Sequence, residues 1–212
     1  MARPIIIAHH LIWTAYGWWR PNDPRGSGSH YVVSDVLKSL GELHCGRKKI
    51  QPARLEIREF YAQAAPVLKY PLLRFGHSEI AVIAESFAEV ITKNRYTCYA
   101  CAIMPDHVHL LIRKHKFLAE EMMGHFRNAA RIKIAGHGKW SLDHAVFGGG
   151  GWKVFMDHPD EVRRTIKYIE NNPVKEGMAP QHWRFVKVYD NWPLHQGHNP
   201  NSPYARRLGA KG

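Results

Sequence analysis

Cysteine, acidic residues and long apolar runs are all scarce in this sequence. Three cysteines among 212 residues are too few for a disulfide-stabilised secreted domain, so we expect free thiols and a cytoplasmic protein. Cys98 and Cys101 form a lone CxxC pair. Residues three apart on a strand point to opposite faces, so no zinc site is expected there. No apolar run is long enough to span a bilayer, and no membrane partner is expected.

The shortage of acidic residues leaves the chain strongly basic. It has 30 Lys and Arg residues against 18 Asp and Glu, a net charge of +12. Such an excess favours binding to phosphate backbones and makes that binding sensitive to salt. It agrees with a polynucleotide partner and, if that partner is DNA, with association with the nucleoid. Arg127 and Arg131 are candidate DNA contacts on a helix predicted from about Leu118 to Ala135. A solvated helix face is the alternative interpretation of these two cations.

Aromatic and basic residues gather directly after the predicted first strand, His10 to Tyr16. The segment that follows is dense in Gly and Pro, which predicts a loop. Indole rings in such a loop can stack on unpaired bases, and packing in the core is the alternative. The candidate DNA-binding residues of this loop are Trp18, Trp19, Arg20 and Arg25.

The length of the chain suits one compact domain over residues 1–195, followed by a basic flexible tail over 196–212. Two helices are predicted beyond the aromatic loop, Ser34 to Leu43 and Pro52 to Leu68. The loop and these helices together make up a segment of about 17–76 between the first strand and the remainder of the domain. A strand is also predicted at Trp152 to Met156, after a run of four glycines.

A turn and two histidines interrupt the apolar, β-branched stretch from Tyr96 to Arg113. The turn formers in Met104–Asp106 predict a β-hairpin. His107 and His109 then open the second strand, where the alternation of side chains sets both imidazoles on one face. Two imidazoles at this spacing can share a cation. A half-buried surface strand is the alternative interpretation.

A tyrosine and an amide lie one helical turn apart nearer the carboxyl terminus. Helix-start signals at Asp157–Asp160 and the stop expected before Pro173 predict a helix from about Pro159 to Asn172. Tyr168 and Asn172 fall on one face of this helix, so the phenol and the amide can reach the same small volume. The neighbouring apolar stripe is formed by Val162, Ile166 and Ile169.

These two segments together suit the cleavage of a phosphodiester. Imidazole and amide oxygen would hold Mg²⁺ or Mn²⁺ loosely and leave positions open for phosphate oxygens. Tyr168 would attack phosphorus and displace a 3′-hydroxyl, leaving a 5′-phosphotyrosine. A free phenol has a pKa of about 10, so nearby cations such as Arg164 and Lys167 are candidates to assist it. Asp106 is a candidate to orient His107, although a turn aspartate that bonds its own backbone is the simpler interpretation.

Both segments resemble motifs of one enzyme family. Met104–Leu111 is similar to the "MP-N/D-HVHLL" signature of the HUH single-tyrosine transposases, and Tyr168–Gly177 resembles the "YI-x-x-NPV-x-x-G" segment of REP-associated tyrosine transposases. The resemblance implies metal binding by His107, His109 and Asn172 and nucleophilic attack by Tyr168. It also implies an α+β, ferredoxin-like fold, with an antiparallel sheet and helices on one face. Relatives lack the long segment at about 17–76, which leaves substrate choice open.

The sequence therefore predicts a metal-dependent endonuclease and strand transferase that cuts single-stranded or hairpin DNA. A hairpin-binding protein that no longer needs cleavage is one alternative, and a metal phosphodiesterase that uses water is another. A self-contained monomer is favoured over a homodimer that shares its sites. The target sequence and the choice between Mg²⁺ and Mn²⁺ are not fixed by these residues.

Overall fold

The described part of the chain forms four strands and four α-helices, arranged around one antiparallel sheet. The computed structural model describes residues 5–28, 31, 38, 40–137, 143–194, 199–203, 205 and 206. Within them the elements, in chain order, are β1 (Ala8–Thr14), α1 (Arg54–Ala64), α2 (His77–Asn94), β2 (Cys98–Ile103), β3 (His107–Arg113), α3 (Ala119–Gly136), β4 (Trp152–Met156) and α4 (Pro159–Lys175). A short 3-10 turn, Ala65–Val67, follows α1.

The strand order identifies the architecture. The sheet runs β2-β3-β1-β4 and every neighbouring pair is antiparallel. With α2 between β1 and β2 and α3 between β3 and β4, this is the β-α-β-β-α-β arrangement of ferredoxin-like folds. The predicted α+β class and antiparallel sheet are therefore confirmed. The fourth helix, α4, follows the last strand.

One face of the sheet is a continuous apolar core. Alternate residues of β1 and β3 point towards α2 and α3 and are completely buried, as are the helix aromatics Phe87 and Phe126, whose rings lie 5.1 Å apart. Trp13 lies against both rings. Because strand side chains alternate, the intervening residues are left to the opposite face. The buried strand residues of this core are Leu11, Trp13, Val108, Leu110 and Ile112.

Helix α4 covers part of that opposite face. Val162 and Ile169 are completely buried against Leu111 and Tyr99 of the sheet, with Ile166 half-buried beside them. This confirms the predicted apolar stripe of the tyrosine helix. The polar side of α4 is thereby fixed relative to β1 and β3.

The hairpin β2–β3 is formed as predicted, but β2 is less regular than simple alternation implies. A register shift between Cys98 and Ala100 marks a β-bulge. The bulge places Cys98 and Cys101 in the same apolar cluster, so the prediction that they face opposite sides of the sheet was wrong. An extra residue within a strand reverses the alternation beyond it.

Two boundaries also differ from prediction. The first strand begins at Ala8 and ends at Thr14, two residues earlier than expected. The prediction that the tyrosine helix stops near Asn172 was wrong, because α4 continues through Pro173 to Lys175. Pro173 is buried, and Met178 N donates to its carbonyl at 2.8 Å. The helix is ended beyond it by Gly177, whose φ of 73° suits a left-handed residue.

The segment at about 17–76 contains one described α-helix, α1, close to the prediction for Pro52 to Leu68. Most of the second predicted helix, Ser34 to Leu43, lies outside the described residues, as does most of the tail over 196–212. Within the described part of the chain, no helix has the length and apolarity needed to cross a membrane.

Candidate active site

The two predicted histidines lie side by side on the face of β3 that the apolar core does not use. Their ring centroids are 4.8 Å apart. His107 Nδ1 lies 2.6 Å from a carboxylate oxygen of Asp106, and His109 Nδ1 lies 2.9 Å from Nε2 of His10 on β1. In both rings, therefore, Nδ1 is occupied by a protein partner and Nε2 remains as the second nitrogen.

The contact between His10 and His109 constrains their protons. Burial lowers the pKa of His10 to about 4. Burial, and to a lesser degree the repulsion that the imidazoles of His107 and His10 exert when protonated, holds the pKa of His109 well below its ordinary value. Both rings are neutral at pH 7, and one proton lies between the two facing nitrogens, since two bare lone pairs would repel each other.

Asp106 occupies a position that suits orientation of His107. Burial opposes ionisation of the carboxyl group. The hydrogen bond from His107 and the nearby charges of His107, Arg25 and Arg74 outweigh that cost, so the pKa of Asp106 lies below its ordinary value. An ionised Asp106 accepts a hydrogen bond from the Nδ1–H of His107, and this tautomer leaves a lone pair at Nε2. The orienting role of Asp106 stays a prediction, and the contact with His107 is the observation that it depends on.

Tyr168 reaches the two imidazoles from α4. Its ring centroid lies 5.6 Å from that of His109 and 6.1 Å from that of His10. The side chain is 45% exposed, so the phenol is accessible to a large substrate. The Nζ of Lys175 lies 5.6 Å from the ring centroid, and this cation was not among the predicted ones.

Asn172 lies on α4 one turn beyond Tyr168 and is half-buried. It does not line the pocket that contains His107, His109 and Tyr168. Its amide nitrogen Nδ2 is buried and, within the described residues, has no hydrogen-bond partner. A buried donor without a partner costs free energy, and binding of a cation would engage the amide oxygen Oδ1 rather than this nitrogen.

The donor set fits a weakly held divalent cation. Two imidazoles with Nε2 available, and the amide of Asn172 one helical turn beyond Tyr168, are ligand types that Mn²⁺ and Mg²⁺ accept at sites with open positions. Among the described residues, no group of three or more His, Cys, Asp or Glu side chains is arranged to hold a metal ion. The metal-ligand roles of His107, His109 and Asn172 stay predictions.

A pocket of about 210 Å³ joins this site to the segment between β1 and α2. Its lining includes residues of the sheet face, Tyr168 of α4 and Trp19. Two loops that contact each other complete it, because Ser27 N donates to His44 O at 2.9 Å and Gly46 N donates to Ser27 O at 2.6 Å. The lining residues from these loops are Gly26, Ser27, Gly46 and Arg47.

Of the two predicted stacking indoles, the structure separates one from the site. Trp18 is half-buried, packs on the apolar core and donates from Nε1 to Leu73 O at 2.6 Å. Trp19 lines the pocket, and the guanidinium of Arg25 lies 3.7 Å from its ring centroid. Arg25 also forms an ion pair with the buried Asp23 at 2.8 Å.

The other predicted DNA contacts are dispersed. Arg127 donates to Gly148 O and to Gly150 O, the latter at 2.8 Å, and so holds the glycine run before β4. Arg131 and Arg20 are half-buried. Arg164 and Lys167 are exposed on α4, and Lys167 borders a separate groove with Arg163 and Tyr189. Their DNA-binding roles stay predictions.

Three residues at the site were missed by sequence reasoning. His10 belongs to a predicted strand, and period-two alternation was available to place it with His107 and His109 once β1 and β3 were paired. Trp152 lines the pocket from the start of β4. Arg47 comes from a loop without a motif, and no sequence signal marks it.

Comparisons with known proteins gave structural similarity only. No family model matches the chain, and no curated protein matches its sequence. Among solved structures, the chain is similar to a REP-associated tyrosine transposase bound to a REP hairpin. That match has 9% identity and a TM-score of 0.45, and it covers 84% of this chain and 74% of the other. It is also similar to a protein from Deinococcus radiodurans R1 provisionally described as a transposase, with 14% identity, a TM-score of 0.34, and coverage of 81% and 94%.

Proposed function

We propose that the protein is a metal-dependent, single-tyrosine endonuclease and strand transferase that acts on single-stranded or hairpin DNA. One observation carries the proposal. An accessible phenol from α4, Tyr168, lines the same pocket as the paired imidazoles His107 and His109 of β3, although the two elements are far apart in the sequence. The net charge of +12 supports a polyanionic substrate.

The reaction balances without any further reactant. The Tyr168 oxygen forms a bond to phosphorus, and the bond from phosphorus to the 3′-oxygen breaks. The phenol proton is lost and the leaving oxygen gains one, so the products are a 5′-phosphotyrosine and a free 3′-hydroxyl. The reverse attack by another 3′-hydroxyl joins the strands, because the phosphotyrosine ester retains the energy of the original phosphodiester.

His107 and His109, through Nε2, and Asn172 would hold Mg²⁺ or Mn²⁺. When bound, the cation supplies positive charge against the scissile phosphate. Binding at His109 Nε2 requires a lone pair there, so the ring proton must be at Nδ1 and be donated to His10. His10 and Asp106 thereby hold the two imidazoles in the required tautomer and orientation.

A denaturing gel tests the proposal. End-labelled hairpin DNA with a single-stranded flank is incubated with the protein and Mn²⁺, Mg²⁺ or EDTA. We expect a protein-linked DNA band that needs the metal and is absent with Tyr168→Phe and with His107→Ala. Tyr189→Phe is a matched control, because Tyr189 lies in a different groove, and it should retain the band.

The same gel separates the two alternatives. Cleavage with multiple turnover that survives Tyr168→Phe, without a covalent band, would establish hydrolysis by water. Binding without cleavage across a broad hairpin library, equal for the parent and Tyr168→Phe, would establish a hairpin-binding protein.

A further inference from the structure

The pocket beside Tyr168 extends further than a metal ion and one phosphate group require. Beyond His107 and His109 its lining includes the indoles of Trp19 and Trp152, which meet edge to face with their ring centroids 5.9 Å apart. The whole pocket has a volume of about 210 Å³, below the range of small-molecule sites, so beside the two imidazoles it has room for a single ring system.

The loops between β1 and α2 that line the pocket pack closely against Trp152 of the sheet. Gly28 approaches Trp152 so closely that a Cβ at position 28 would lie 2.5 Å from the indole Nε1. Gly26 has a φ of 89°, and its own Cβ would overlap the carbonyl oxygen of Gly46. Glycine at both positions allows the loops to pack against each other and against Trp152. The indole is thus held in place before any ligand binds.

The pocket has a direction relative to the nucleophile. The ring of Tyr168 lies against His109 of β3, with centroids 5.6 Å apart, and against His10 of β1. Trp152 belongs to β4, which lies on the other side of β1 from β3, and it is paired there with Ile12 of the pocket lining. Displacement at phosphorus places the attacking and leaving oxygens roughly in line. With the scissile phosphate held between Tyr168 and β4, the leaving 3′-oxygen points away from Tyr168, towards the indole end of the pocket.

From this geometry we infer that the indole end of the pocket, built by Trp19, Trp152 and Arg47, is a subsite for one unpaired base. The base is that of the nucleotide that carries the leaving 3′-hydroxyl. It stacks on Trp152, and Arg47 at the rim contributes a cation for the adjoining phosphate. This inference rests on the proposed function, since it takes Tyr168 as the nucleophile.

The test compares the two nucleotides that flank the cut. Hairpin DNA with a random single-stranded flank is first incubated with the parent protein and Mn²⁺, and the covalent product identifies the cleaved sequence. Each flanking base is then replaced by an abasic site. Binding of these oligonucleotides to Tyr168→Phe protein is measured by fluorescence anisotropy.

We expect the abasic site at the leaving nucleotide to weaken binding about tenfold, the usual contribution of one stacked base. The abasic site on the phosphotyrosine side should change it little. In the same background, Trp152→Leu should remove the difference, whereas Trp152→Phe should retain it because it keeps an aromatic face. Thermal unfolding of both variants shows whether they are folded.

The subsite would be overturned if abasic sites at the two flanking positions weakened binding equally. It would also be overturned if folded Trp152→Leu still bound the two abasic oligonucleotides with different affinities. If the parent forms no covalent product with any flank, the proposed function fails, and binding alone then tests the subsite. In that event, equal affinity of the parent and Trp152→Leu for the random-flank hairpins would reject the base subsite. A roughly tenfold loss with Trp152→Leu alone, and not with Trp152→Phe, supports a base-stacking site without cleavage.

Discussion

The two faces of the sheet are built by the same strands and both pack against helices, but one of them also lines a pocket. On one face, Leu11 and Trp13 of β1 and Leu110 of β3 are sealed under α2 and α3 in an apolar core. On the other, His10, His107 and His109 lie between α4 and the loops that follow β1. The first face provides packing, and the second presents polar groups to a pocket.

The difference teaches how a small sheet combines stability with chemistry. Strand alternation lets adjacent residues face opposite sides, so the site residues need not interrupt the core. The core holds β1 and β3 in register, with Ile12 opposite His109 and Thr14 opposite His107. Substitutions on the two faces should therefore have separable effects, and the following four test that separation.

The largest effect is expected on the polar face. Tyr168→Phe removes the oxygen that we propose attacks phosphorus, so the covalent DNA product should disappear entirely while the free energy of unfolding stays within about 0.5 kcal/mol of the parent. The measurements are the denaturing gel and urea unfolding. A variant that loses the product and also unfolds at much lower urea would indicate that Tyr168 supports the fold instead.

The core face should show the reverse behaviour. Phe126 is completely buried against Phe87 and Trp13, and Phe126→Ala should lower the free energy of unfolding by about 3–5 kcal/mol. At a temperature where the variant remains folded, the yield of covalent product should match that of the parent. A small stability change with a large loss of product would show that the two faces are coupled.

A smaller effect concerns His9, which is 2% exposed beside Phe155. Burial, with a lesser contribution from Lys114, lowers the pKa of His9 to about 4. In the unfolded chain His9 takes up a proton near pH 6.5, whereas in the folded chain it does so only near pH 4. The contribution of neutral His9 to the free energy of unfolding is therefore fully present above pH 6.5 and is lost as the pH falls towards 4. His9→Leu should reduce the decrease in the free energy of unfolding between pH 7 and pH 4.5 by up to about 3 kcal/mol, measured by urea unfolding at the two pH values. An unchanged acid loss would exclude His9 as its source.

The smallest effect is expected from His10, which contacts His109 without being a predicted ligand. Replacing the partner of a ligating imidazole typically weakens metal binding by about 10–100-fold, so His10→Ala should raise the Kd for Mn²⁺ by that factor, measured by electron paramagnetic resonance. His9→Leu is the control, since its side chain points to the other face. His10→Gln, which retains an acceptor for the His109 proton, should recover part of the affinity. Equal Mn²⁺ binding by His10→Ala and the parent would contradict the orienting role.

Sequence patterns predicted most of the regular structure near the site. The hairpin, the helix of Arg127 and the tyrosine helix each combine a clear period with turn or helix-start signals. The two predictions that were wrong, the alternation in β2 and the end of the tyrosine helix, have local causes. The bulge beside Cys98 changed the alternation of β2, and the burial of Pro173 accompanied a helix that extends past it. Neither a bulge nor a tertiary contact at a proline is encoded in a simple hydrophobic period.

The features of the site also fall into two groups, those that local sequence patterns determined and those that tertiary packing determined. The sequence by itself determined the residue types and their local placement: two histidines on one strand face, a tyrosine and an amide one helical turn apart, and an excess of positive charge. These follow from strand and helix periods, which act over a few residues. Tertiary structure alone decided that Tyr168 meets His109, that His10 contacts that imidazole, and that Trp19, Trp152 and Arg47 close one pocket. Such contacts depend on which strands pair and on how α4 and the loops after β1 pack on the sheet, and no short-range pattern specifies that packing.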